Sequence, residues 1–361
     1  MTVRLFLILV ASASLTAGCQ PPQEPVGPSS NGVPPLATEA LPLTACAAGE
    51  GMVVPGWSVD NGHGAVSALA VSSSGTAALA GADGTIKLWH IESEELDWTS
   101  LASPEVAYGS EFDQAGTAAS LSFDATGELI TAGDEDGLVH LFSAADGMNI
   151  GSWSIGDAPV ASSAFAYEGQ LAVAATTEYG GGLHVWSTSG APEEPLETGL
   201  WFIYDIAVDD TREEILIAGD FYGIPSIEVR SAAFPGAVLR GTRVNELSGG
   251  FVSAVPVGQG RVLAVGGGGM ALLQPEADSE EGILAVREMP DVTFVSVLAL
   301  DEEHFAAATE QGDILLGTID DLTVRASMES SSISSLALVP GGWQLASSGE
   351  DGALRLHGCE G

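Results

Sequence analysis

The sequence predicts an all-β fold of seven repeated four-stranded antiparallel units. Three observations carry that prediction. "GADGTIKLWH", Gly81 to His90, joins an Asp-Gly turn to a run of β-branched and apolar residues, the pattern of a hairpin arm. The pattern then recurs. Turns fall at Asp83-Gly84, Asp136-Gly137, near Gly180, near Tyr222, near Gly267, near Gly312 and at Asp351-Gly352, about 45 residues apart. Finally, 46 of the 361 residues are glycine, near twice the ordinary share of about 7%.

Each unit has a further strand upstream of the one that enters the turn. "AVSALAVSSSG", "AASLSFDATG", "VASSAFAYEG", "IYDIAVDD", "FVSAVPVGQG", "FVSVLALDEE" and "SISSLALVPGG" are short apolar alternations ended by turns. A fourth strand follows in most units, as in "ELDWTSL" and "MNIGSWSI". Four short strands in about 45 residues make a β-propeller blade. One such sheet cannot bury both faces, whereas blades packed in a ring bury them all. The last unit stops after its third strand, at "ALRLHGCEG". "GEGMVVPGWSVD", Gly49 to Asp60, is free to supply the fourth, so that both chain ends build one blade. A single chain then completes the ring, and a monomeric propeller is expected.

The stretch "HGAVSALAVSSSGTAALAGADGTIKLWHIESEELDW" resembles a WD repeat. It has the Gly62-His63 pair, the turn Asp83 and Trp89. "ISSLALVPGGWQLASSGEDGALRLHG" is the next best match. The other units are degenerate. None ends in Trp-Asp, and Gly-His occurs once. The resemblance spans Ala45 to Gly361 and implies a WD-repeat-like propeller lacking most of the His–Ser–Trp hydrogen bonds of regular blades.

The N-terminus reads "MTVRLFLILVASASLTAGCQ". Arg4 precedes an apolar run, Leu5 to Leu15, which is too short to span a bilayer. Small residues and a cysteine follow, as in a secretory signal. "LTAGC" resembles the lipobox of bacterial lipoproteins, with Thr16 where the usual Leu stands. The resemblance implies a signal peptide over residues 1–18 and acylation of Cys19. Gln20 after the cysteine implies the outer membrane. Residues 19–44 hold seven of the 18 prolines and read as an extended tether with a reach of at most about 75 Å. The propeller is expected over 45–361. Cys46 and Cys359 flank its closing strands, and an oxidising envelope favours a disulfide between them.

Ten Lys+Arg stand against 49 Asp+Glu, a net charge of −39. That excludes a nucleic-acid partner, because phosphate backbones need cations. Little points to catalysis. His90, His140, His184 and His357 recur at third strands because the repeat does. No spacing offers a metal site, and no Gly-x-Ser-x-Gly elbow occurs. "VGGGGMALLQ", from Val265, is glycine-rich but lacks the helix that a dinucleotide site needs. "GDEDG", Gly133 to Gly137, is acidic but has Leu138 where calcium needs an oxygen. The seven Trp residues fall mostly at strand positions, where core packing is the default. "SAADGMNIGSW", Ser143 to Trp153, resembles one repeat of quinoprotein propellers but lacks their Thr-Gly.

The reading is a non-catalytic, lipid-anchored binding platform of the bacterial cell envelope, with an unknown protein partner, no cofactor and no metal. Its alternatives are a quinoprotein-like or metal-dependent propeller enzyme and a structural subunit of an outer-membrane complex. The candidate partner face carries the second-to-third-strand turns, where Tyr179, Phe221 and Tyr222 interrupt an Asp/Gly pattern.

Overall fold

The computed structural model describes residues 40–361, apart from 61, 63, 103–117, 167–170, 177–179, 181, 191–193, 267, 276–281 and 332. Cys19, His63 and Tyr179 lie outside the described residues. The chain folds into a seven-bladed β-propeller. It opens with β1 (Ala40–Leu41), a short helix α1 (Leu43–Ala48) and β2 (Met52–Asp60). Blade one is β3 to β6 (Val66–Val71, Thr76–Gly81, Thr85–His90, Glu95–Leu101). Blade two is β7 to β10 (Ala118–Phe123, Leu129–Asp134, Leu138–Ser143, Asn149–Ser154). Blade three is β11 to β13 (Val160–Ala166, Leu171–Thr176, Leu183–Ser187). Blade four is β14 to β17 (Phe202–Asp209, Glu214–Phe221, Ile224–Ser231, Val238–Arg243). Blade five is β18 to β21 (Phe251–Pro256, Val262–Gly266, Gly269–Leu273, Ile283–Glu288). Blade six is β22 to β25 (Phe294–Ala299, His304–Thr309, Asp313–Thr318, Thr323–Glu329). Blade seven is β26 to β28 (Ser335–Leu338, Gln344–Ser348, Ala353–Glu360) with β2 on its outer edge.

The first strands of successive blades touch one another around the centre, and β26 returns to β3. Second strands such as β15 and β23 are apolar on both faces because a blade sits on either side of them. In β15, Ile215 and Ile217 join the core shared with blade three, and Leu216 and Ala218 the core shared with blade five. In β23, Phe305 and Ala307 face blade five, and Ala306 and Ala308 face blade seven. Such strands read as continuous apolar runs rather than alternations.

Polar bonds stitch the inner strands across blades. The Ser67 hydroxyl donates to the Ala118 carbonyl at 2.5 Å. Ser120 and Ser163 hydroxyls are 3.0 Å apart. Ser162 donates to Asp205 at 3.2 Å, and the Ala254 N–H donates to the other oxygen of Asp205 at 3.1 Å. The Val297 N–H reaches Ser253 at 3.3 Å, and Ser334 donates to the Val66 carbonyl at 2.5 Å.

Blade three differs. Beyond β13 the described chain makes only the bridge between Leu183 and Leu196. Pro195, beside that bridge, has no N–H for a ladder.

Closure takes the expected form. β2 runs antiparallel to β28 from Met52 opposite Glu360 to Asp60 opposite Ala353. Cys46 and Cys359 form a disulfide with Cα atoms 5.9 Å apart, closing a separation of 313 residues. The structure adds what the sequence assigned to the tether. β1 pairs Ala40 with Glu360 and Leu41 with Cys359, and Leu43 of α1 is fully buried against blades six and seven.

His357 sits inside this closing blade, opposite Pro55 of β2 and Leu345 of β27, with its Nε2 2.7 Å from the Ser347 hydroxyl. Burial pushes its pKa down from 6.5 to about 4, helped by the charge of Arg355. Protonation therefore favours the unfolded chain. The stability His357 allows is complete above pH 6.5 and is lost as pH falls toward 4. That amounts to about 2 kcal/mol at pH 5. His357→Gln is expected to flatten this acid limb, read from denaturant midpoints at pH 7 and pH 5.

Candidate functional site

The second-to-third-strand turns and the connectors between blades share one face. Two of the three Asp-Gly turns keep their glycines for a steric reason. Gly137 and Gly352 have φ +77° and +74°, and a Cβ would meet the Gly156 carbonyl at 2.3 Å and the Gly64 carbonyl at 2.2 Å respectively. Asp83 caps its turn by accepting from the Thr85 N–H at 3.0 Å and the Thr85 hydroxyl at 2.8 Å. Asp351 accepts from the Ala353 N–H at 3.2 Å, and its ion pair with Arg355 holds its pKa at about 2 despite partial burial. In blade two the capping residue is Asp134 rather than Asp136. Asp134 accepts from the N–H groups of Asp136 and Leu138 at 2.9 and 2.8 Å.

The other oxygen of Asp134 faces His140 Nε2 at 3.2 Å, and His140 Nδ1 lies 2.8 Å from the Ser152 hydroxyl. Asp, His and Ser are the parts of a nucleophile relay, yet here they tie strands together. His140 is fully buried, and Asn149 occupies the serine from β10 at 3.1 Å. Burial alone would raise the Asp134 pKa, but its bonds to His140 and two backbone N–H groups hold it below the usual value. With both oxygens engaged, Asp134 has little left to offer calcium. Among the described residues no three His, Cys, Asp or Glu side chains come together as a metal site. The first strands hold one carboxylate between blades, Asp205.

Blade four carries the distinctive surface. β15 and β16 meet at a two-residue turn, since Phe221 pairs with Ile224. Tyr222 and Gly223 both have positive φ, +56° and +74°, so the turn is type I′, whose first position favours Asn or Gly. A tyrosine there costs about 1 kcal/mol. Asp220 holds the turn. One of its oxygens accepts from the Gly223 N–H at 3.1 Å and the other from the Tyr204 hydroxyl at 3.0 Å. Burial and that bond to Asp220 push the Tyr204 pKa up to about 12, so it stays a donor.

Tyr222 is 62% exposed. Its ring meets Phe221 edge-on at 4.6 Å and also packs on Trp201. Trp201 is fixed from both sides: its N–H donates to the Asp220 carbonyl and its carbonyl accepts from the Gly180 N–H, each at 2.8 Å. The Arg243 guanidinium lies 3.7 Å over the Phe221 ring. Phe221 and Tyr222, neighbours in the sequence, thus sit at the tip of this hairpin. Trp201, which the sequence left among core tryptophans, completes the shelf.

A cavity of about 580 Å³ adjoins the shelf. Its walls are the connectors that enter β18 and β22 and the glycine turn between β19 and β20. Glu246 and Glu288 line it. The glycine stretch from Val265 is therefore a hairpin turn, as expected, and its surroundings carry the wrong charge for phosphate.

The WD domain, G-beta repeat family model matches residues 57–90 of this chain. That span runs from the outer strand of blade seven through three strands of blade one, so the sequence repeat is offset by one strand from the structural blade. The offset is what lets the N-terminal strand lock the last blade. No curated protein matches the chain significantly. A seven-bladed propeller that carries one such repeat is consistent with a protein-binding scaffold.

Proposed function

We propose that this protein is a non-catalytic binding platform, held at the surface of a bacterial envelope membrane by lipid on Cys19, and that its partner is a protein docking on the turn face of the propeller. The observation that carries the binding reading is the shelf of Trp201, Phe221 and Tyr222, in which Tyr222 is exposed and the other two are half-buried. A rigid ring presents it on a turn whose backbone works against a tyrosine. Strain kept at an exposed aromatic points to use. The lipoprotein-like N-terminus supports the anchoring, and Gln20 supports an outer-membrane site. The prolines between Cys19 and Ala40 support an extended tether there.

Two outcomes test this reading. Cells fed an alkyne-tagged palmitate are expected to label the wild-type protein and leave Cys19→Ala unlabelled and released from membranes. Equal labelling of both would remove the anchor from the account. Tyr222→Asn is expected to raise stability by about 1 kcal/mol while lowering partner capture in crosslinked cells. A variant that gains stability and keeps its partner would show that the shelf is not used.

A further inference from the structure

Resting on that reading, we propose that the partner engages the shelf and its adjoining cavity through a basic segment, with a Lys or Arg side chain seated between Glu246 and Glu288 and its aliphatic stem against Tyr222. Four observations converge on this chemistry. The cavity lies next to the shelf: the Gly249 N–H in the cavity wall donates to the Gly223 carbonyl beside Tyr222 at 3.0 Å. Glu246 and Glu288 both line that cavity, and both are exposed.

The shelf also already holds one cation. Arg243 stacked on Phe221 shows that these ring faces accept a guanidinium, which leaves the exposed face of Tyr222 for another. Charge complementarity sets the sign. The turns of this face carry Asp83, Glu135, Asp136, Glu310, Glu350 and Asp351, while Lys87 and Arg355 are neutralised within it by Asp83 and Asp351. The whole chain has 49 acidic side chains against ten basic ones. Such a field repels acidic partners and speeds the approach of basic ones, in a salt-dependent way.

The test uses the whole protein and a defined probe, a short fluorescein-labelled Lys- and Leu-containing peptide, with its Glu-for-Lys counterpart as control. Anisotropy titrations compare wild type, Glu246→Gln/Glu288→Gln, and Asp97→Asn/Glu128→Gln, whose carboxylates line a cavity on the opposite face. The expected result is binding of the Lys peptide, none of the Glu peptide, and a loss of about tenfold or more in the first double variant only. Weaker binding at higher salt should accompany it. Thermal midpoints of the two variants check that both fold. Wild-type affinity in the Glu246/Glu288 variant, or an equal loss in the opposite-face variant, would overturn the proposal and leave only diffuse attraction between opposite charges. The platform reading fails separately, when no partner is crosslinked from the turn face at all.

Discussion

Removing the Cys46–Cys359 disulfide is expected to cost the propeller about 4 kcal/mol. The bond closes a separation of 313 residues, and in the chain-entropy model a loop of that size gives up to about 5 kcal/mol, less any native strain. The location sharpens the expectation. Cys359 pairs with Val53 on one side of β28 and with Leu41 on the other. The bond thus fixes α1 and both N-terminal strands to the last blade. Without it, the outer strand of blade seven keeps its ladder and the packing of α1, but the joint between the two chain ends loses its covalent lock. Denaturant unfolding of wild type and of Cys46→Ala/Cys359→Ala, each with and without reductant, reads this directly. Wild type should lose stability on reduction, the variant should not, and the two reduced curves should coincide. Equal stability of oxidised and reduced wild type would mean that the strand ladder is sufficient for closure.

The second large effect is expected at Asp205. One oxygen accepts from the Ile206 N–H at 2.8 Å and from Ser162 at 3.2 Å, and the other from the Ala254 N–H at 3.1 Å. It therefore joins blades three, four and five at their inner strands. Asp205→Ala leaves those donors without a partner inside the ring, which should cost about 4 kcal/mol. Burial is the first cause acting on its pKa, and it raises the value above 3.8 against the four bonds that lower it. The folded state thus holds the proton more readily than the unfolded chain. The stability gained by protonation is complete below 3.8 and fades as pH rises through the raised value. Asp205→Asn, which cannot ionise, should therefore lose its disadvantage relative to wild type as pH rises from about 4 toward neutrality. A difference that does not change with pH would show that Asp205 titrates as it does in the unfolded chain.

The architecture was legible because its signals repeat. Asp-Gly turns, short apolar strands and a missing last strand each appear several times or have one solution, so the blade count, the closing strand and the disulfide followed from pattern. Individual roles were less legible. Asp205 stands in "IYDIAVDD", whose apolar alternation marks a first strand, but the sequence does not say that the acidic side chain turns inward between blades. Asp134 was hidden by the more familiar Asp136-Gly137 pair two residues later; only the fold shows which carboxylate reaches His140. Trp201 lies in "GLWFIY", where neighbouring aromatics read as core. Its half-buried place in the shelf depends on a connector between blades, which carries no periodic signal. Pro195 marks the weak outer edge of blade three, yet a single proline does not reveal whether a strand is lost or displaced.

The central claim is that partners dock on the face that carries Tyr222. It is tested most directly by placing a photoreactive phenylalanine analogue at one position or another in the living cell. One version replaces Tyr222, and the other replaces Met148, which is exposed on the opposite face. The account predicts a discrete crosslinked protein from position 222, none from position 148, and loss of the 222 crosslink in the Glu246→Gln/Glu288→Gln background. Crosslinks from position 148 alone, or none from position 222 while the protein is folded and membrane-bound, would contradict it.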